Sequence, residues 1–126
     1  MNTNTQAVLI VEDEADLREA IITALTYEGF TVLAASDGEE GLSIALDKKP
    51  GLILLDITMP KMDGLEVLRA LRADEWGKEV QVVVMTASDD LGKVAEVVEA
   101  GGNEYIVKTD ITLAGIVAKV KEKLGS

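Results

Sequence analysis

The chain of 126 residues contains no cysteine and no histidine, and only 3% of it is aromatic. Without cysteine there are no disulfides, no thiolate nucleophile and no cysteine-held metal. Without histidine there is no serine–histidine triad, no histidine-bound zinc and no phosphohistidine on this chain. Acid–base or nucleophilic chemistry must therefore come from carboxylates, lysine, tyrosine or hydroxyls. The shortage of aromatics leaves the core to Val, Leu, Ile and Ala, in a sequence that is 48% hydrophobic. Positive charge is also short: 12 Lys and Arg stand against 23 Asp and Glu, a formal net charge of −11. Such a chain is repelled by phosphate backbones and anionic membranes, so direct nucleic-acid binding is not expected, whereas a basic partner or a metal cation is. No apolar run approaches the roughly 20 residues of a membrane span. The opening "MNTNTQ" is polar and uncharged, unlike a signal peptide. The expectation is a soluble, cytoplasmic single domain over residues 1–126, with its core at about 7–124.

What is present is an alternation. Short apolar, often β-branched runs lie at Ala7–Val11, Thr31–Ala35, Gly51–Leu55, Val80–Met85 and Glu104–Val107. They lack polar alternation, as strands covered on both faces do. Between them run segments with helical spacing. Leu17, Ile21, Ala24 and Leu25 make one apolar stripe, and Leu113, Ile116, Val117, Val120 and Leu124 make another, with the lysines of "AKVKEK" as a solvated face opposite. Ser36 and Glu39 have capping-box spacing before the second helix, and Asp63 or Gly64 starts the third. Asp89 and Asp90 precede the fourth helix, Asp110 precedes the fifth, and Gly29 stops the first. Trp76, in the polar loop "DEWGKE", reads as a loop anchor. Five strand–helix repeats predict a parallel sheet with helices on both faces.

In such sheets the functional site lies beyond the carboxyl ends of the strands. Glu12 and Asp13 follow the first run, Asp56 the third, Thr86 the fourth and Lys108 the fifth; only the second, ending in "AAS", brings no charged group. Singly, each has an ordinary reading. Acids favour a helix N-terminus, Asp56 can begin a turn, Thr86 can cap, and Lys108 can snorkel to water. Together they converge on one edge. Three gathered carboxylates repel one another, and a divalent cation resolves this. Oxygen ligands without His or Cys point to Mg²⁺, with Mn²⁺ able to substitute. A phosphoryl group fits next to such a cation: Asp56 would attack, Thr86 would donate a hydrogen bond, and Lys108 would neutralise the oxygens.

These residues resemble those of the response-regulator receiver domains of two-component signalling, a likeness running from about Ala7 to Leu124. The phrase "DITMPKMDG" matches the family's loop after the phosphorylated aspartate, with Pro60, Asp63 and Gly64 in place. The resemblance implies a flavodoxin-like (βα)5 three-layer sandwich with five parallel strands in the order 2-1-3-4-5. It implies that Asp56 is the phosphoacceptor and that Glu12, Asp13, Asp56 and the backbone carbonyl of Thr58 hold the metal. Thr86 is then the switch hydroxyl, Lys108 the lysine that pairs with the phosphoryl oxygens, and Tyr105 the switch aromatic. The implied partners are a histidine kinase or histidine phosphotransfer protein upstream and a protein target downstream. A monomer, or a weak dimer formed on phosphorylation, is expected. Beyond accepting and slowly hydrolysing its own phosphoryl group, no catalytic activity is expected.

Thr109 stands where the family usually has a proline joined by a cis bond, so a trans bond and a differently held Lys108 loop are expected. Gly101-Gly102-Asn103 is richer in glycine than usual, which predicts a more mobile turn. Thr58 and Ser88, two residues after Asp56 and Thr86, line the route of the attacking water in the family. Two other functions share the residue set. A haloacid-dehalogenase-type phosphatase needs a second acid two residues after its nucleophile, where this chain has Thr58. A phosphorylation-independent interaction module would not need the complete acidic set.

Overall fold

Five of the segments rich in Val, Ile and Leu pair into one parallel sheet. The computed structural model describes residues 4–59, 61–87 and 91–125, and the side chains of 4–6, 91 and 93 stand outside that description. The strands are β1 (Asn4–Val11), β2 (Thr31–Ala35), β3 (Pro50–Asp56), β4 (Gln81–Thr86) and β5 (Glu104–Val107). The helices are α1 (Ala15–Tyr27), α2 (Gly38–Lys48), α3 (Gly64–Arg72), α4 (Leu91–Glu99) and α5 (Leu113–Leu124). The sheet order is β2-β1-β3-β4-β5, as the resemblance implied.

Successive side chains of a strand point to opposite faces, and β3 shows how this builds two cores. Leu52 and Leu54 join Ile21 and Leu25 of α1 and Ile116 and Val120 of α5. Ile53 and Leu55 face the other way, onto Ala45 of α2, Leu65 and Leu68 of α3 and Val97 of α4. All four β3 residues are fully buried. At about 1.5–3 kcal/mol per buried aliphatic side chain, they fix the strand firmly between two helical layers.

Boundaries moved by about one residue at the functional edge. The apolar runs end at Leu55 and Met85, whereas β3 includes Asp56 and β4 includes Thr86. Asp56 stays in the ladder because it registers with Met85, whose carbonyl accepts from Ile57 N–H at 2.9 Å. The first helix closes as expected at Gly29, which has φ 96, with Gly29 N–H donating to Thr26 O and Phe30 N–H to Leu25 O. That pair of bonds is a Schellman closure. The expected capping box of α2 is corrected by one position. Asp37, not Ser36, accepts from Glu40 N–H at 2.9 Å, and the Glu40 carboxylate reaches back to Ser36 N–H at 2.8 Å. Asp63 does cap α3, in a reciprocal box with Glu66. Asp110 does not cap α5: Lys108–Asp110 form a 3₁₀ turn, and Thr112 accepts from Gly115 N–H at 3.0 Å instead. Asp89 and Asp90 lie outside the described residues.

Two further expectations are revised. The lysines of α5 are not merely solvated: Lys119 and Lys123 both pair with Glu104 of β5, and Lys121 pairs with Glu28 at 2.6 Å. Hydrogen bonds from Lys119 and Lys123 hold the Glu104 carboxyl below the usual range. The turn around Gly101 is held by an arginine rather than left loose. Arg72 donates to the carbonyls of Gly101, Gly77 and Val80 and to Asn103 Oδ1. Asn103 Oδ1 in turn accepts from Val82 N–H at 2.7 Å, and Asn103 N–H donates to Val82 O at 3.0 Å. Trp76 does anchor its loop, packing against the core beside α3 while Asp74 Oδ2 accepts from Trp76 and Gly77 N–H.

Candidate functional site

The carboxyl ends of β1, β3, β4 and β5 bring together the residues singled out by sequence. Glu12, directly after β1, is fully buried, and Asp56, the last residue of β3, is 3% exposed. Carboxylate oxygens of Glu12, Asp13 and Asp56 all lie within 4.8 Å of one another, with Asp13 exposed at the mouth. Lys108 reaches in from the end of β5, its Nζ 2.8 Å from Glu12 Oε1 and 3.3 Å from Asp56 Oδ2. Among the described residues Glu12 Oε1 has no hydrogen bond beyond that ion pair. Glu12 Oε2 accepts from Glu14 N–H at 3.0 Å, and the Glu12 carbonyl accepts from Arg18 at 2.8 Å. Asp56 Oδ1 accepts from Thr58 N–H at 3.3 Å.

Thr86 is buried at the end of β4, one residue past the register partner of Asp56, and it registers with Val107. Tyr105 of β5 is 40% exposed and registers with Val84. The Lys108–Thr109 bond is trans, since no cis peptide occurs among the described residues. Pro60 and Ser88 lie outside the described residues.

Burial, followed by the charge of Glu12, raises the Asp56 carboxyl to about 7, against the opposing pull of Lys108 and the Thr58 N–H. Burial lowers the Lys108 ammonium, but the Glu12 hydrogen bond and the charges of Asp56 and Glu12 outweigh it and leave it raised. One lysine thus faces three carboxylates, two of them buried. The donor set is all oxygen, and one buried oxygen has only a lysine contact, so a divalent cation fits.

Lys108→Met leaves Glu12 buried without a counter-ion, which costs about 3 kcal/mol. The loss depends on pH in a defined direction. A carboxyl whose folded pKa is raised keeps its contribution below the unfolded value of 3.8 and loses it as pH rises through the folded one. Without Lys108 the folded value of Asp56 climbs further. Urea unfolding should therefore show a larger deficit at about pH 8 than at about pH 5.

The fold and site together define a flavodoxin-like α/β domain with a cation-ready carboxylate cluster at its strand ends. The family model of the response regulator receiver domain matches residues 8–121. The chain belongs to that family: it is a receiver domain of the two-component response regulators. It is 36% identical over 124 residues to the DNA-binding response regulator MtrA of Mycobacterium tuberculosis, covering 98% of this chain and 53% of MtrA. It is 38% identical over 103 residues to the probable transcriptional regulator ycf27 of Porphyridium aerugineum, covering 82% of this chain and 42% of that protein. The chain thus spans about half the length of the curated relatives it matches.

Among solved structures it resembles the receiver domain of the sensor histidine kinase PA1611 from Pseudomonas aeruginosa, which has a magnesium ion coordinated in its active-site cleft. The TM-score is 0.87 and the identity 29%, covering 96% of this chain and 98% of that one. It also resembles the chemotaxis protein CheY4 of Vibrio cholerae, with TM-score 0.86 and 26% identity, covering 92% and 96%. Receiver domains of response regulators interact with histidine kinases, and the family is not one of conventional enzymes. No helix among the described residues is long and apolar enough to cross a membrane.

Three contacts near the site or its supports were missed by sequence reasoning: Arg18 on the Glu12 carbonyl, Arg72 on the Gly101 turn, and Gly38 against the carbonyl of Met62. In each the acceptor or neighbour is main chain, which carries no signature of its own in the sequence.

Proposed function

We propose that this receiver accepts one phosphoryl group on the Asp56 carboxylate from the phosphohistidine of a histidine kinase or histidine phosphotransfer protein. The observation that carries the reading is a buried acid at the end of β3, 3.3 Å from Lys108 and clustered with Glu12 and Asp13. A carboxylate oxygen of Asp56 forms the new bond to phosphorus as the P–N bond breaks. The electron pair of that bond stays with the donor imidazole. Water later attacks the same phosphorus, releasing inorganic phosphate and restoring Asp56.

Glu12, Asp13, Asp56 and the Thr58 carbonyl would hold a Mg²⁺ ion, or Mn²⁺ in its place, which would neutralise the charge of the carboxylates and of the transferring group. Lys108 moves its contact from the Asp56 carboxylate to the phosphoryl oxygens, and Thr86 donates its hydroxyl to one of them. Tyr105 follows Thr86 inward, which remodels the surface of α4, β5 and α5. Thermodynamically this is a population shift biased by a local change in charge. Residues 1–126 act as one receiver domain in the cytoplasm, as a monomer or a weak phosphorylation-dependent dimer. They signal to a protein target; the net charge of −11 disfavours direct contact of this chain with nucleic acid or an anionic membrane.

The test is incubation with acetyl phosphate and Mg²⁺, followed by intact mass and phosphate release. One labile phosphoryl adduct, absent when the metal is chelated, is expected. No adduct at saturating donor overturns the reading, and rapid multiple turnover favours a phosphatase.

A further inference from the structure

Strand β2 is the one whose carboxyl end supplies no reactive group, yet the connection after it touches both halves of the site. On one side the carbonyl of Ala35 accepts from Glu12 N–H at 3.1 Å. On the other, Gly38, the first residue of α2, is seated against main chain of the loop that follows Asp56. A Cβ on Gly38 would stand 1.8 Å from Met62 O and 2.7 Å from its carbonyl carbon. Such a conflict with backbone cannot be relieved by turning a side chain. Asp37 adds a second tie: while Oδ1 caps α2, Oδ2 lies 3.6 Å from Lys61 Nζ. Lys61 itself holds the left-handed backbone, with φ 68.

The other end of that loop returns to the phosphoacceptor strand. Met62 leads into Asp63, the cap of α3, and Gly64 N–H donates to Ile57 O at 2.9 Å. A Cβ on Gly64 would stand 2.5 Å from the carbonyl oxygen of Asp56. The segment carrying Thr58 is therefore pinned between α2 at Met62 and the Asp56–Ile57 main chain at Gly64.

We propose that Gly38 and the Asp37–Lys61 pair are positioning residues: the β2–α2 connection sets the cation affinity of the site while contributing no ligand. The proposal rests on the reading that Asp56 and the Thr58 carbonyl hold Mg²⁺. Gly38→Ala pushes the Met62 carbonyl away and carries the Thr58 segment with it. Losses of supporting contacts of this kind weaken metal binding about 10- to 100-fold.

The experiment measures Mg²⁺ affinity by calorimetry in wild type, Gly38→Ala, Lys61→Met and Gly77→Ala, well below each melting temperature. Gly77 is a matched control, because a Cβ there would stand 2.3 Å from Leu71 O, far from the site. Gly38→Ala should weaken Mg²⁺ at least about tenfold, and Gly77→Ala should leave it within about twofold while lowering stability. In the metal-free protein, Gly38→Ala should also shift the backbone amide resonances of residues 57–59 and 61–64. Lys61→Met, at an exposed position, should weaken Mg²⁺ by roughly two- to fivefold.

Equal losses in Gly38→Ala and Gly77→Ala would reduce the effect to general destabilisation and overturn the proposal. Should Gly38→Ala not fold, Lys61→Met decides. A gain in its affinity would mark Lys61 as only a competing cation, and no change would break the link. A wild type that binds no Mg²⁺ overturns the site reading itself. Wild-type binding with an unaffected Gly38→Ala overturns only the positioning role.

Discussion

Asp56→Asn should abolish phosphoryl acceptance and, in the metal-free protein, raise stability. The first effect is complete because the nucleophilic oxygen is replaced by an amide that cannot form the acyl phosphate. The second follows from burial. Asp56 is 3% exposed beside the Glu12 carboxylate, and its carboxyl is pushed to about 7. Ionising it above that value costs the folded state free energy that the unfolded chain does not spend. The penalty is absent below the unfolded value of 3.8, grows as pH rises, and levels off above about 7. About three pK units correspond to roughly 4 kcal/mol, and relaxation of the site with water entry at its open mouth trims this to about 2–3 kcal/mol. Melting at about pH 8 in chelator should therefore rise by on the order of 10 °C in the mutant, with little change at about pH 4. Added Mg²⁺ should stabilise wild type more than Asp56→Asn, because it relieves in one protein a repulsion that the other lacks. A mutant no more stable than wild type at high pH would show that the carboxylate cluster is not under electrostatic strain.

Arg72→Met should destabilise the domain by about 3 kcal/mol without changing phosphoryl acceptance below its melting temperature. The Arg72 guanidinium gathers the carbonyls of Gly77, Val80 and Gly101 together with Asn103 Oδ1. It joins the end of α3 to the start of β4 and to the turn before β5. Burial lowers its pKa, yet it stays charged, because a guanidinium does not deprotonate in this range. Each charge-assisted bond contributes about 1.5–3 kcal/mol, but four acceptors on one group do not add fully. Lysine should not rescue, since a single ammonium cannot span acceptors arranged around a planar fork. Amide exchange should accelerate most at Gly102 and Asn103, whose N–H groups donate to Val97 O and Val82 O at 2.9 and 3.0 Å. Unchanged exchange there, with normal urea stability, would mean the arginine only decorates the turn.

These two residues also show what could be read in advance. Asp56 was legible because it interrupts a pattern: Leu52 to Leu55 demand burial, and an acid follows at once. The same logic located Glu12, Thr86 and Lys108, and the strand–helix rhythm carried the sheet order through the family resemblance. The edge of β3 lies one residue beyond its apolar run because apolarity marks what is buried, not where the ladder ends. The α2 cap slipped likewise, since Ser36 and Asp37 are both good caps and Glu39 and Glu40 both good partners. Arg72 was illegible for a different reason. Its acceptors are mostly backbone carbonyls, which every residue has, so nothing in the sequence marks Gly101 as its partner. The lysines of α5 looked solvated because a helix shows which face is polar but not that Glu104 of β5 lies opposite.

The most direct measurement is to trap the phosphoryl group where it sits. After treatment with acetyl phosphate and Mg²⁺, borohydride reduces an aspartyl phosphate to homoserine, and tandem mass spectrometry of the peptides locates the change. Homoserine at position 56, dependent on Mg²⁺ and absent from Asp56→Asn, is the predicted result. Homoserine at Asp13 or another acid, or none in a protein that is folded and binds Mg²⁺, would contradict the assignment of Asp56 as the phosphoacceptor.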